Sequence, residues 1–445
     1  MRDQRLLNPQ QQFIRSLILF ICLGSLLLTC LRVIGYGFFP IDDALRHVAK
    51  VISGKSWADI LVIRPEITMD SHLGWHTILS GFQDLTTCDK TVLLNFSVIF
   101  LFLAFTLPPV FYFRRGEAWI ASLALSSFFF FGSIYRLFYG RPYIISMVMI
   151  LLFCFLWEKI RDKNKPWAEL IVLLVMTVMA TWIHGTWYLF TLPLLALVLA
   201  RQWRVFGFMA GAISLGVICG AMLTGSPLVF LHQMIFHALE AFGKNTDFQH
   251  QLVSEFQPFS GETLVFFLVG GLLLWRKARG EWDIRVVDNP IFYLIVIGWT
   301  MGFFASRFWT DWGWPALAFW VAQEVQAALE QYTNSFSMKR LMLAGVFCLI
   351  LLLAVTNDRD SRWSGGVSEW PKMENKEHRP WLPYEGGIVY NDNMFLFYQI
   401  FYNNPHAPWR YVLGFEPIWM TDDNLKIYRK IQLTRGKDES YIPWV

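Results

Sequence analysis

Apolar residues run in long blocks along this chain, and polar residues gather in the short intervals between them. A helix needs roughly 20 mainly apolar residues to cross a hydrocarbon core, and by that rule the chain reads as about eleven spans. They lie near 15–39, 91–113, 117–135, 142–157, 168–183, 186–200, 204–224, 262–275, 290–305, 313–329 and 340–356. Several are short, and tight turns join the pairs that flank His184 and Arg307. The first block is long, carries Arg32 and ends without a small-residue cleavage site, so it reads as a retained span, not a cleavable signal. The expected fold is an all-α polytopic membrane domain over 1–356. A small α+β domain of mixed, aromatic-rich composition follows over 357–445, with turn signals at Gly386-Gly387 and Asn403-Asn404-Pro405.

Composition agrees with this class. With 55% of 445 residues hydrophobic and only 16% charged, a soluble fold could not hide its apolar surface, whereas several bilayer spans account for it. The net charge of +4, without a basic run, excludes a nucleic-acid reading. Five of the six cysteines lie in apolar blocks, and only Cys88 lies in a polar loop. No CxxC or Cys/His spacing points to zinc or to a disulfide framework.

Loop charge sets the orientation. One side receives Arg2, Arg5 and Arg15, Arg114-Arg115, then Lys159, Arg161, Lys163 and Lys165. The same side receives Arg201 and Arg204, Arg276, Lys277, Arg279 and Arg285, and Lys339-Arg340. That side reads as cytoplasmic. The acid-rich loop 40–90, the segment 225–261 and the tail then face outward. Within 225–261, Gln233, His237, Glu240 and Lys244 alternate with Leu231, Ile235, Phe236, Leu239 and Phe242 at helical spacing, as in a helix lying on a membrane surface.

The candidate chemistry gathers on the outward side. Asp42-Asp43 stands where the first apolar block ends. One aspartate would suffice to cap the following helix. A pair also suits a general base or an oxygen ligand of a divalent ion. Asp70, His72 and His76 form a second polar cluster, in which the two histidines, four apart, are expected on one helical face for sugar or phosphate contacts. His184 lies in the turn Trp182-Ile183-His184-Gly185, where an ionisable group at membrane depth is a candidate site residue. Arg136, Arg141 and Arg307 stand at outward ends of spans. A guanidinium fork suits phosphate, and snorkelling to lipid headgroups is the competing role. Asp42, Asp43 and Asp70 are the candidate ligands of a divalent ion such as Mg2+ or Mn2+, a question the residues leave open.

In its many spans and in the acidic motif directly after the first of them, here Asp42-Asp43, the chain resembles the GT-C glycosyltransferases. These include protein O-mannosyltransferases, the aminoarabinose transferase of lipid A and the catalytic subunit of oligosaccharyltransferase. The Trp182–Gly185 turn and the outward arginines are also similar to features of bacterial members. The resemblance implies inverting transfer of a sugar from a polyprenyl-phosphate donor to a hydroxyl of a glycan, lipid or protein acceptor. Asp42 or Asp43 would be the base, and Arg136, Arg141 or Arg307 would steady the departing phosphate. It also implies a bacterial inner-membrane protein with its N-terminus cytoplasmic and its C-terminus periplasmic. Two departures stand out. The aspartates are adjacent instead of forming Asp-x-Asp, and the second long loop offers only Glu240, Asp247 and Glu255 in place of a second acidic motif. The rival reading is a transporter or flippase of a lipid-linked saccharide, which would place its ionisable groups near the midplane. Aromatic residues of the tail, Trp381, Tyr384, Trp409, Tyr411 and Trp419, serve either as core or as glycan platforms.

Overall fold

The computed structural model describes residues 9–40, 42–242, 254–259, 263–333, 337–365, 370–437 and 439–444. Helices dominate. In chain order they are α1 (Pro9–Gly35), α2 (Ala44–Ser53), α3 (Trp57–Ile60), α4 (Leu73–Thr86), α5 (Lys90–Tyr112) and α6 (Gly116–Phe129). There follow α7 (Phe131–Arg136), α8 (Tyr143–Arg161), α9 (Trp167–Ile183), α10 (Thr191–Leu199), α11 (Trp203–Met222) and α12 (Pro227–Phe242). The series ends with α13 (Leu264–Ala278), α14 (Pro290–Gly302), α15 (Trp314–Tyr332), α16 (Met338–Thr356), α17 (Met394–Asn403) and α18 (Asp422–Thr434).

Every apolar block is helical, but not every one is long enough to cross a bilayer unaided. Among the described residues five helices meet both length and hydropathy requirements: α1, α5, α8, α11 and α16. α9, α14 and the segment Trp187–Leu199 are apolar but shorter. The block read at 117–135 is broken at Phe130 into α6 and α7, and the block at 186–200 opens with a 3-10 turn, Trp187–Phe190. A π turn, Phe308–Gly313, precedes α15. α16 shows why such helices suit lipid. Met342, Val346, Leu349 and Leu353 form an exposed stripe, while Ala344, Cys348, Leu351 and Val355 are buried on the opposite face. That buried face packs on α1, where the Ser25 hydroxyl donates to the Cys348 carbonyl at 3.2 Å. Helix α14 meets the π turn so closely that a Cβ on Gly298 would come within 2.6 Å of the Gly313 amide nitrogen.

The basic loops lie at the end of the bundle opposite Asp42-Asp43, and several of their cations are tied down. Arg340 reaches Glu117 with Nη2 3.0 Å from Oε2, and Arg115 donates to the Thr333 carbonyl at 2.7 Å. At the other end, segment 40–90 folds into α2, α3 and α4, and it does not stand apart from the tail. Strands β1 (Ile388–Val389) and β2 (Arg410–Tyr411) pair in parallel. Leu61 bridges Tyr411, Ile63 bridges Met420, and the Arg64 amide donates to the Trp419 carbonyl at 3.0 Å. α17 packs on α2. The tail therefore forms one cap with the first loop over this end of the bundle. Trp409, Tyr411 and Trp419 are core residues of that cap, whereas Trp381 and Tyr384 are 84% and 80% exposed. The surface helix expected in 225–261 is α12. Its Gln233 is buried and clamps the first loop by hydrogen bonds to the Thr68 and Met69 amides at 3.2 and 3.0 Å. Lys244, Asp247 and the side chain of Glu240 lie outside the described residues.

Candidate functional site

α2 begins directly after the acidic pair, yet neither carboxylate caps it. Asp43 occupies the cap position in a helical conformation, and its carboxylate accepts no capping bond from the backbone amides of the first turn. The one backbone amide that donates to the Asp42 carboxylate among the described residues is that of Asp43, at 2.7 Å. Both carboxylates are instead engaged by arginines. Asp43 lies three residues before Arg46, whose Nη2 and Nε both donate to it, the former at 3.0 Å. Asp42 accepts from Arg141, which also donates to Glu255. Arg136 bridges Glu255 at 3.2 Å and Asp311 at 2.9 Å. Arg307 reaches Asp311 at 3.2 Å and Glu255 at 3.6 Å. Asp42, Arg141, Glu255, Arg136, Asp311 and Arg307 thus alternate in sign, with the Asp43–Arg46 pair beside them, along the wall of one cavity of about 1060 Å³.

The two aspartates differ electrostatically. Burial raises the Asp42 carboxyl above its ordinary value, and Arg141 offsets this only in part. Burial acts on Asp43 too, but Arg46 and the His47 hydrogen bond outweigh it and hold Asp43 well below the usual carboxylate range. Burial of Glu255 is likewise outweighed, by Arg141, Arg136 and Arg307, so that it stays ionised. Of the two aspartates, Asp42 is the better placed to accept a proton near neutral pH.

Asp42, Asp43, His72, Arg136, Arg141, His184 and Arg307, all singled out from sequence, line this cavity; Asp70 and His76 do not. His72 and His76 do not share a helical face, because α4 starts at Leu73 and His72 precedes it with non-helical backbone. The His72 ring turns to the cavity, with Nδ1 2.8 Å from the Ser71 hydroxyl. His76 turns the other way, its Nδ1 2.6 Å from Asp70 and its Nε2 2.8 Å from His47 Nδ1. His47 Nε2 in turn lies 3.4 Å from Asp43. Asp70, His76 and His47 thus form a buried chain that ends on the back of Asp43. Burial, then Arg46, lower His47 to about 3, so it is neutral at physiological pH. Replacing His76 by Ala leaves the Asp70 carboxylate and His47 without their partner. The expected cost is about 1–3 kcal/mol of stability, read as a lower melting temperature. His184, also lowered to about 3 by burial and by Arg307, is held by the Ser146 and Thr186 hydroxyls at 3.0 and 2.8 Å.

These carboxylates do not fit a divalent ion. Mg2+ and Mn2+ need several free oxygen ligands, but guanidiniums take Asp42 Oδ1 and both oxygens of Asp43, and Asp70 lies behind two imidazoles, so Asp42 Oδ2 alone is left to offer. Among the described residues no three His, Cys, Asp or Glu side chains are grouped to hold a metal.

Charged wall residues that escaped singling out as site residues include Arg46, Asp311, Glu255 and Glu416. Arg46 and Asp311 carry a visible signal, since Asp43–Arg46 and Arg307–Asp311 have the i,i+3 and i,i+4 spacing of helical ion pairs. Glu255 was one of three possible second acids, and it stands at the centre of the arginine cluster. Glu416 comes from the tail and has no local signal. Comparison with protein-family models, with curated proteins and with solved structures finds no match to this chain.

Proposed function

We propose that this protein is an integral-membrane glycosyltransferase. It transfers a sugar from a polyprenyl-phosphate donor to an acceptor hydroxyl at the membrane surface, with Asp42 as the base. The observation that carries the reading is a cavity at one end of an apolar helix bundle, where a proton-accepting carboxylate shares its wall with Arg136, Arg141 and Arg307. In the reaction Asp42 takes the acceptor's proton as the acceptor oxygen bonds to the anomeric carbon from the face opposite the phosphate. The bond from that carbon to the phosphate oxygen breaks, and the polyprenyl phosphate leaves with the electron pair. The arginine cluster stabilises the charge that grows on the phosphate. Asp43, fixed by Arg46 and backed by His47, orients its neighbour. In this reading the chain crosses a bacterial inner membrane about eleven times with the basic loops inside, so the cavity opens to the periplasm.

The location of the charges favours transfer over transport. They are concentrated at one end of the bundle, whereas alternating access needs a site near the midplane. The test is release of polyprenyl phosphate from a polyprenyl phosphomannose or phosphoglucose by the purified protein in the presence of envelope glycans and lipids. A donor that stays intact under all these conditions, yet crosses the bilayer of protein-containing liposomes, would replace the transferase by a flippase.

A further inference from the structure

Eight of the charges in the cavity wall pair with one another. Arg46, Arg136, Arg141 and Arg307 face Asp42, Asp43, Glu255 and Asp311, four guanidiniums against four carboxylates. Glu416 is a fifth carboxyl on the same wall, only partly exposed, and among the described residues no side chain donates to it or pairs with it. The other charged residues lining the space are Asp360 and Asp392, both exposed, and Arg362, half-buried with its guanidinium over the Phe131 ring. Glu416 is held firmly in place. Before it, the Phe415 ring lies 3.6 Å from the Arg46 guanidinium carbon and packs on Trp57. After it, Pro417–Trp419 form a buried 3-10 turn, and the Met420 carbonyl accepts from Arg64 Nε at 2.8 Å. The charged and titratable groups around it are Arg307 of the π turn, Asp43 and Arg46 at the start of α2, Glu255, and the Tyr188 hydroxyl. His237 of α12 meets the adjoining Trp419 ring at 6.3 Å.

This arrangement has a consequence for an anionic ligand. Ionised, Glu416 presents to the cavity a negative charge that no guanidinium among the described residues bonds directly, and protonated it presents a hydroxyl instead. A polyprenyl phosphodiester adds a permanent negative charge, and two such charges sharing a poorly hydrated space repel each other. Resting on the lipid-phosphate reading of the cavity, we propose that Glu416 is a substrate-binding residue that becomes protonated when an anionic lipid phosphate enters, its hydroxyl then serving as a donor to the ligand. Donor binding thereby takes up a proton from solution. Burial already pushes the Glu416 carboxyl up to about 7, against the opposing pull of Arg307, so both forms are present at neutral pH. A bound anion raises it further. Affinity is therefore fully present below the pKa of the free protein and falls as pH rises through it, by at most about tenfold per pH unit.

The experiment is equilibrium binding of a polyprenyl phosphomannose, whose phosphodiester keeps one charge throughout, to the detergent-purified full chain at about pH 6 and about pH 8. Calorimetry in buffers of different ionisation enthalpy counts the protons taken up. The wild-type protein is expected to bind about five- to tenfold more weakly at the higher pH and to take up a proton on binding. Glu416→Gln is expected to bind equally at both pH values, with the affinity the wild type shows in acid. Because the wild-type profile and proton count need no variant, a misfolded variant leaves the test intact. Tight binding without pH dependence or proton uptake overturns this role for Glu416 and leaves the lipid-phosphate site standing. Absence of saturable binding at both pH values, in wild type and variant alike, removes the donor site of the proposed function and this inference with it.

Discussion

Asp42→Asn is expected to lower the rate of sugar transfer by about a hundred- to ten-thousand-fold, the usual contribution of a positioned general base. The amide has the shape of the carboxyl, and its oxygen can still accept from Arg141 and from the Asp43 amide, so the wall keeps its form. It loses the ability to hold a proton removed from the acceptor. Donor affinity should change far less than turnover, because the arginines remain in place. Asp43→Asn is expected to act differently. Asp43 is held ionised by Arg46 and His47, so its removal frees Arg46 and breaks the contact to the His47–His76–Asp70 chain. Its signature is a lower melting temperature together with a milder loss of turnover. Turnover and thermal unfolding measured side by side on the two variants separate the roles. Wild-type turnover in Asp42→Asn would sink the assignment of the base.

The second large effect is expected at Glu255, which among the described residues is the one carboxylate that touches three guanidiniums. Removing one partner of a buried ion network leaves uncompensated charge, at a cost of about 3–5 kcal/mol. Among the described carboxylates, Glu255→Ala leaves Arg141 with Asp42, and leaves Arg136 and Arg307 sharing Asp311. The expected result is a marked fall in melting temperature in detergent. An anion that enters the cluster replaces the missing charge. Added polyprenyl phosphate should therefore raise the melting temperature of Glu255→Ala more than that of the wild type. Equal shifts in the two proteins would mean that the lipid phosphate binds away from the arginines.

The reach of the sequence can be judged residue by residue. The apolar blocks mark the helices because burial against neighbours or lipid depends on little beyond hydrophobic length. α1, α5, α8, α11 and α16 accordingly begin and end within a few residues of the blocks. Breaks such as Phe130 are invisible, since a run of four phenylalanines is equally apolar in a straight or an interrupted helix. Asp42, Arg136, Arg141 and Arg307 share one cavity because each follows or precedes a span on the same side, and span parity alone orders them. The pairing of acid to arginine is not legible, because it depends on how helices distant in sequence rotate against one another. The expectation for Asp70 and His76 failed on a local detail, the start of α4 one residue after His72, which turns two rings four apart to opposite sides. Glu416 was beyond reach. Its position depends on the tail joining the first loop, and no periodicity within either segment encodes that pairing.

That pairing also dictates the order in which the protein is made. The hydrogen bond from Arg64 to Met420 closes a loop of 356 residues. Most apolar helices lie between its ends, so a nascent chain can insert its whole hydrophobic bundle while the wall that carries Glu416 is still in the ribosome. Contacts of such sequence separation form last and slowly. A chain stopped before Tyr411 should thus reach the membrane as a protease-sensitive, inactive intermediate. Maturation then has a clear end point, the moment the late-synthesised segment docks onto the early one.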